Sequence, residues 1–231
     1  MKKLPICAIA LCGLLLLPGT GQASFVLITD TSGLTTEKLF DSAAYHDVNS
    51  FVGSVGTQSG GPPVTVTAGV GSTVLVDTGA GFATIKPDVG LLTSLTFTPT
   101  DSGLFNDWVT NGQFDGPSGN VPVFFSISVT DQNGNVTTFN NLQAQSMSNG
   151  GYPFDIGVVS NDGSTIKSVT LSADNFIDGV HYGIKESKQT EFSLAPTPTP
   201  EPSTMALALS GLVTFGFAGL RRFRRQPQQG L

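Results

Sequence analysis

Apolar and hydroxyl-bearing residues alternate with a period of two through much of the middle of the chain. In Ser94-Leu95-Thr96-Phe97-Thr98 the apolar members point one way, and Phe125-Ser126-Ile127-Ser128-Val129-Thr130 repeats the pattern. Successive side chains on a strand face opposite sides of a sheet, so each run predicts a strand that buries one face and wets the other. The second run predicts a hairpin with Val136-Thr137-Thr138-Phe139, joined through Asp131-Gln132-Asn133-Gly134-Asn135, because Asn-Gly readily takes the positive φ of tight hairpin turns. Further strands are predicted at Ser24 to Thr29, Val64 to Ala68, Thr73 to Val76, Ala83 to Lys86, Phe154 to Val159, Ser164 to Ser172 and Glu191 to Leu194.

Turn signals punctuate these runs, among them Gly60-Gly61-Pro62-Pro63, Lys86-Pro87-Asp88, Gly116-Pro117 and Asn161-Asp162-Gly163. Many short strands at this spacing predict an all-β body, a β-sandwich of jelly-roll-like form. Thr35 to Asp47 is the single stretch predicted to interrupt the strands with a helix.

Two apolar segments break the period-two pattern, one at each end. Lys2 and Lys3 precede an apolar run from Leu4 to Leu17, which stops at Pro18-Gly19 and closes on Gly21-Gln22-Ala23. A basic start, a short apolar centre and a small residue at the break describe a signal peptide over residues 1–23, cut between Ala23 and Ser24. Both cysteines, Cys7 and Cys12, fall inside it, preceded by Ile6 and Leu11, which are too large for a lipid-attachment signal. The remaining chain has no cysteine, so disulfides and thiolate chemistry are excluded together and the fold must hold by its core.

Residues 24–195 form the expected body, 172 residues and enough for one domain with a substantial core. It carries Lys38, Lys86, Lys167, Lys185 and Lys188, no arginine, and 16 of the 17 acidic residues, a net charge of −11. Such a body repels phosphate backbones, which excludes nucleic acid as a partner and leaves divalent cations and neutral glycans compatible.

The C-terminal segment has three parts. Residues 196–204 alternate proline with threonine and run through Pro200, Glu201 and Pro202; each ring fixes φ and keeps the residue before it out of the helical region, so the tract is an extended spacer. Residues 205–220 hold no charge and predict a single transmembrane helix of about 24 Å, short of a hydrocarbon core of about 30 Å. Residues 221–231 begin with Arg221, Arg222, Arg224 and Arg225, a basic stop that holds the cytoplasmic end and whose side chains can snorkel to cover the deficit. The body then lies outside the cytoplasm, where the N-terminal signal directs it.

Pro200-Glu201-Pro202, the Gly- and Ala-rich apolar run and the arginine cluster, together spanning about Pro198 to Arg225, resemble the PEP-CTERM sorting region of exopolysaccharide-producing Gram-negative bacteria. Thr199 stands where valine is commoner, and the motif itself is intact. The resemblance implies recognition by exosortase, a membrane protease and transpeptidase acting near Pro200-Glu201-Pro202. It also implies a precursor anchored in the inner membrane that passes to the cell surface or extracellular matrix, with exopolysaccharide as an expected associate. The body is more loosely similar to extracellular β-sandwich proteins with this tail, at Gly81 to Thr98 and Ile166 to Ala173, a likeness that names no activity.

Candidate chemistry in the body is sparse. His46 and His181 are its only histidines, with no spacing for zinc and no Gly-x-Ser-x-Gly elbow. Two carboxylates about 5 to 9 Å apart would suit glycoside hydrolysis, but sixteen acids single out no pair. Asp131, Asn133 and Asn135 have the oxygen spacing that opens a calcium loop, and Asp174, Asn175 and Asp178 could add oxygens. Leu142 at the twelfth position rules out an EF-hand, and a hairpin turn accounts for the same residues. Trp108, flanked by Phe105, Asp107 and Phe114, is expected in the core, where aromatics of a sandwich usually lie, with stacking on a sugar ring as the alternative. Together these features predict a non-enzymatic exported surface protein needing no cofactor, with calcium the one candidate ion. A carbohydrate-binding module is the second expectation and a secreted glycoside hydrolase the third.

Overall fold

A computed structural model of the chain describes residues 23–31, 34–40, 44–56, 61–79, 82–100, 103–119, 121–144 and 151–195. The expected signal peptide up to residue 22, the proline spacer with Pro200-Glu201-Pro202, the expected membrane helix over 205–220 and the arginine cluster lie outside the described residues.

The described residues form sixteen strands and no helix. In chain order these are β1 (Phe25–Ile28), β2 (Glu37–Phe40), β3 (Tyr45–Val48), β4 (Ser50–Val55), β5 (Pro63–Ala68), β6 (Val74–Gly79), β7 (Phe82–Pro87) and β8 (Ser94–Pro99). They continue with β9 (Phe105–Phe114), β10 (Val123–Asp131), β11 (Val136–Ala144), β12 (Tyr152–Ser160), β13 (Ile166–Ser172), β14 (Asn175–Ile177), β15 (Val180–Tyr182) and β16 (Ile184–Leu194).

The all-β expectation holds, and the alternating runs at β8 and β10 bury the residues that the period assigns: Leu95 and Phe97, then Phe125, Ile127 and Val129. The helix expected over Thr35 to Asp47 is corrected: β2 and β3 stand there. Glu, Lys, Leu and Ala favour a helix locally, but β2 is taken up as a strand between β4 and β16, and Leu39 is fully buried.

The sandwich expectation is corrected in its topology. Antiparallel pairing passes from β9 to β13, β8, β5, β4, β2 and β16 and returns to β9, so seven strands close into a barrel. Closure is possible because single strands serve two neighbours along one edge. Phe105 at the start of β9 pairs with Ile166 of β13, whereas Asp107 to Phe114 pair with β12. On β16, Glu191 and Phe192 pair with β2, and Ser187 pairs with β7. The strands displaced at these forks extend outward as β12 with β1, β10 with β11, and β7 with β6 and β3. A barrel removes the open edges that a sandwich leaves at the same positions.

The core is aromatic at the closure. Phe97 of β8 meets Trp108 of β9 at 5.7 Å and Phe192 of β16 at 6.2 Å between ring centres, and Phe105 packs on Phe192 at 4.3 Å. A second cluster joins Phe114 to Phe154 at 4.4 Å and to Phe125 at 4.9 Å. Where β9 crosses β16 the backbones come so close that a Cβ on Gly112 would stand 2.1 Å from the Glu186 carbonyl oxygen. Next to this crossing β16 bulges, with Gln189 at φ 46°, and three buried hydroxyls satisfy one another: Thr110 Oγ1 lies 2.9 Å from Ser187 Oγ and 3.0 Å from Thr190 Oγ1.

Trp108 is fully buried, and its indole N–H has no hydrogen-bond partner among the described residues. Replacing it with alanine should cost about 3–5 kcal/mol through lost ring contacts and a cavity at the barrel closure. Trp108→Phe should cost far less, because it removes the unpaired buried donor while keeping a ring there. Urea denaturation of both variants checks this; equal losses would show that the indole N–H is not a burden on the core.

Candidate functional site

Trp108 takes the core position expected of it, which removes the alternative that it stacks on a sugar ring. Its ring lies against Phe97 with no exposed surface. Its neighbours Phe105 and Phe114 are equally buried. Asp107 beside it is shielded from water, which raises its pKa, although hydrogen bonds with the Ser193 side chain and the Ser160 backbone pull the other way.

Asp131, Asn133 and Asn135 do come together, in a use other than calcium binding. Asp131 is fully buried, and its Oδ1 accepts from the amides of Asn133 and Asn135, each at 2.8 Å. The Asn135 side-chain amide nitrogen donates to Asp131 Oδ2 at 2.8 Å. The Gly134 amide reaches the Asp131 carbonyl at 3.0 Å, and Gly134 alone in the loop takes a positive φ, 87°. This is a three-residue hairpin loop locked by a carboxylate, a type I turn followed by a left-handed glycine. Burial pushes the Asp131 pKa up, but the bonds from Asn135, Asn133 and Gly134 outweigh it and leave it lowered. The carboxylate is therefore occupied by N–H donors from its own loop.

Asp162 plays a related part at the start of the body. Hydrogen bonds from the Ser164 side chain and backbone, then from the Ser24 backbone, hold its pKa at about 2. The Ser24 amide donates to Oδ2 at 2.9 Å, and its carbonyl accepts from the Asn161 amide at 3.0 Å, so both backbone groups of Ser24 are fixed. Ala23, on the other side of the expected cut, is buried.

His46 lies exposed on β3, and His181 lies on β15, which pairs with β14 alone. His181 Nδ1 is 2.9 Å from Asp174 Oδ1, and its ring packs on Phe176 at 4.7 Å. Asn175 reaches across to β10: its Oδ1 accepts from the Phe124 amide at 2.9 Å and its Nδ2 donates to the Phe124 carbonyl at 2.8 Å. That double bond anchors the β14–β15 hairpin beside β10 and leaves a groove of about 310 Å³ between them, lined by Phe124, Ser126, Asn140, Asn141, Ser172 and Asp174. Of the three residues proposed to add calcium oxygens, Asp174 is thus paired with His181 and Asn175 is spent on the Phe124 backbone. Among the described residues no group of three or more His, Cys, Asp or Glu gathers to hold a metal ion.

Sequence reasoning missed this groove, although one signal was present. Phe124 falls on the polar phase of the Phe125 to Thr130 alternation, so a large ring had to stand outside the core. Of the acids among which the sequence singles out no pair, Asp155 and Glu191 share a small polar pocket of about 150 Å³ near the β16 bulge, where Glu191 accepts from the Thr36 hydroxyl at 2.5 Å.

Outside the described residues, positions 198–225 match the family described as the PEP-CTERM protein-sorting motif. No curated protein and no solved structure matches the chain.

Asp131→Ala would leave the amides of Asn133 and Asn135 without an acceptor and should cost about 2–3 kcal/mol, read from chemical denaturation. Asp131 and Asp162 both have folded pKa values below the unfolded value of about 4. Their stabilisation is therefore complete above pH about 4 and is lost as pH falls through the folded values, about 2 for Asp162. Stability should decline below pH 4, less steeply in Asp162→Asn; an unchanged acid limb in that variant would remove Asp162 from the account.

Proposed function

We propose that this chain is a non-enzymatic protein exported to the cell surface or extracellular matrix, where its β-barrel body is the delivered part and its tail the address. The match of residues 198–225 to the PEP-CTERM sorting motif carries the proposal. A motif of this kind implies export to the cell envelope or surface and recognition by exosortase, a membrane protein. In this chain Pro200, Glu201 and Pro202 are the residues for that recognition. The uncharged run of 205–220 is the membrane helix, and Arg221, Arg222, Arg224 and Arg225 hold its cytoplasmic end.

The start of the body supports a cut between Ala23 and Ser24. The Ser24 nitrogen already lies 2.9 Å from the Asp162 carboxylate, so cleavage would place a new α-ammonium group in an ion pair without moving the strand. Export through the signal at residues 1–23 leaves an inner-membrane-anchored precursor, and processing at the tail frees the body for the surface or for an exopolysaccharide matrix. The absence of cysteine from the mature chain, the lack of a nucleophile elbow and the use of Asp131 to lock its own loop support a binding or structural role over catalysis.

In a host with the sorting protease, Glu201→Ala should still be exported but should accumulate at full length in the membrane. Replacing the four arginines with alanine should instead release the tail from the membrane, since the positive charge holds a helix this short in place. Fractionation with intact-mass measurement separates the two. A Glu201→Ala protein processed and displayed like the wild type would reduce Pro200-Glu201-Pro202 to the end of a proline spacer and sink the sorting role.

A further inference from the structure

We infer that the groove beside Phe124 is a binding site for a neutral saccharide chain, a role that goes beyond export and does not depend on it. The site begins with a ring where the strand period calls for a polar residue. Along β10, Val123, Phe125, Ile127 and Val129 point into the core, so Phe124, Ser126, Ser128 and Thr130 point outward, and Phe124 is 45% exposed. The backbone beneath this ring is held from both sides, by the Asn175 side-chain amide and by pairing with Gln143 of β11. An exposed aromatic on a fixed backbone offers an apolar face at little ordering cost.

Polar groups surround the ring. The β10–β11 register slips between Phe125 and Ile127, and there Asn141 adopts φ 57°, which leaves Asn140 and Asn141 both exposed at the groove. Ser126 and Ser172 stand opposite each other on its floor, and Asp174 closes one end, positioned by His181. Two amides, two hydroxyls and one carboxylate supply donors and acceptors in both directions, as a ligand covered with hydroxyl groups requires.

Charge and shape select among ligands. No lysine or arginine lines the groove, and the body carries −11, so an anionic chain is repelled. Lipid is disfavoured because Ser126, Asn140, Asn141, Ser172 and Asp174 place polar groups around the single exposed ring. A neutral sugar satisfies both conditions: its C–H face lies on Phe124 and its hydroxyls meet the amides and the carboxylate.

The surface beyond the groove extends the site from one sugar to a chain. Ser126 pairs with Ser172, which pairs with Ser94. In the next row Thr138, Ser128, Thr170, Thr96, Thr67 and Ser50 are successive cross-strand partners over six strands, none of them buried. At about 4.8 Å per strand that row spans about 24 Å and carries hydroxyls alone. Thr96 and Thr170 hydroxyls lie 2.9 Å apart and Ser128 and Thr138 hydroxyls 3.1 Å apart, so the array is ordered before any ligand arrives.

The test is calorimetric titration of the full-length protein, in a detergent without a sugar headgroup, with cellohexaose, mannohexaose, chitohexaose and, as the anionic control, hexagalacturonate. At least one neutral hexasaccharide should bind with a sub-millimolar Kd. Phe124→Ala should weaken it by about tenfold or more, since loss of one ring contact of ~1.4 kcal/mol is a factor of ten. Asn140→Ala should weaken it too, whereas Thr170→Val should weaken the hexasaccharide and spare the matching disaccharide. Circular dichroism and thermal unfolding confirm that each variant is folded, which the exposure of Phe124 and Asn140 leads us to expect. Absence of binding by all three neutral probes at millimolar concentration overturns the inference, as does wild-type affinity in Phe124→Ala or preferential binding of hexagalacturonate. None of these results bears on the sorting of the tail, which is read separately by fractionation.

Discussion

Everything in the body depends on β9 being held on both edges at once. Eight of its ten residues pair with β16 along one edge, and on the other Asp107 to Phe114 pair with β12 while Phe105 pairs with β13. That single fork turns a row of strands into a ring. The fork demands close backbone approach at Gly112 and a bulge at Gln189 to absorb the mismatch with β16, and it buries the hydroxyls of Thr110, Ser187 and Thr190, which then have to satisfy one another. The aromatic cluster of Phe97, Trp108, Phe105 and Phe192 sits at this closure, where strands from opposite sides of the barrel meet. With no cysteine among the described residues, apolar burial and strand pairing are the sources of the body's stability.

Legibility in the sequence followed how regularly burial alternates along a strand. β8, β10 and β13 lie in the regular part of the sheet, with one face inward, and their alternation could be read directly. β9 could not: Phe-Asn-Asp-Trp-Val-Thr-Asn-Gly-Gln-Phe buries Trp108, Val109 and Thr110 in succession, because neighbours change along its length and no single period describes it. β2 and β3 were hidden for a different reason, since they are held by strands distant in the chain, β2 by β16 and β4 within the ring and β3 by β6 outside it. Closure itself has no local signature, which is why a sandwich was the natural expectation from strand count alone.

The sites divide in the same way. Pro200-Glu201-Pro202 with its apolar run and arginines is a linear address, readable without any fold because its parts follow one another in the chain. The Asp131 loop is nearly as local, and a carboxylate four residues before an asparagine, with glycine between, already describes the turn that the structure shows. The groove at Phe124 is the opposite case. Its lining comes from β10, from the bulge of β11, from the end of β13 and from the segment leading into β14, positions up to about fifty residues apart, so the one visible hint was a phenylalanine out of phase.

The separation between address and body has a physical consequence for how such a protein can change. The sorting motif at residues 198–225 is a contiguous stretch of sequence, and none of its residues belongs to the strands of the barrel. The barrel in turn keeps its outward face free of structural duty: on β10, β13 and β8 the inward residues carry the core, while Ser126, Ser172, Ser94, Ser128, Thr170 and Thr96 alternate with them and contribute little to it. Substitutions on that face can therefore alter what the surface contacts without disturbing the closure at β9. The short β14–β15 hairpin, joined to β10 through Asn175, forms a two-stranded sheet of its own. Its residues Phe176 and His181 stand exposed beside Asp174, so the hairpin shapes one wall of the groove while the barrel beneath it stays fixed.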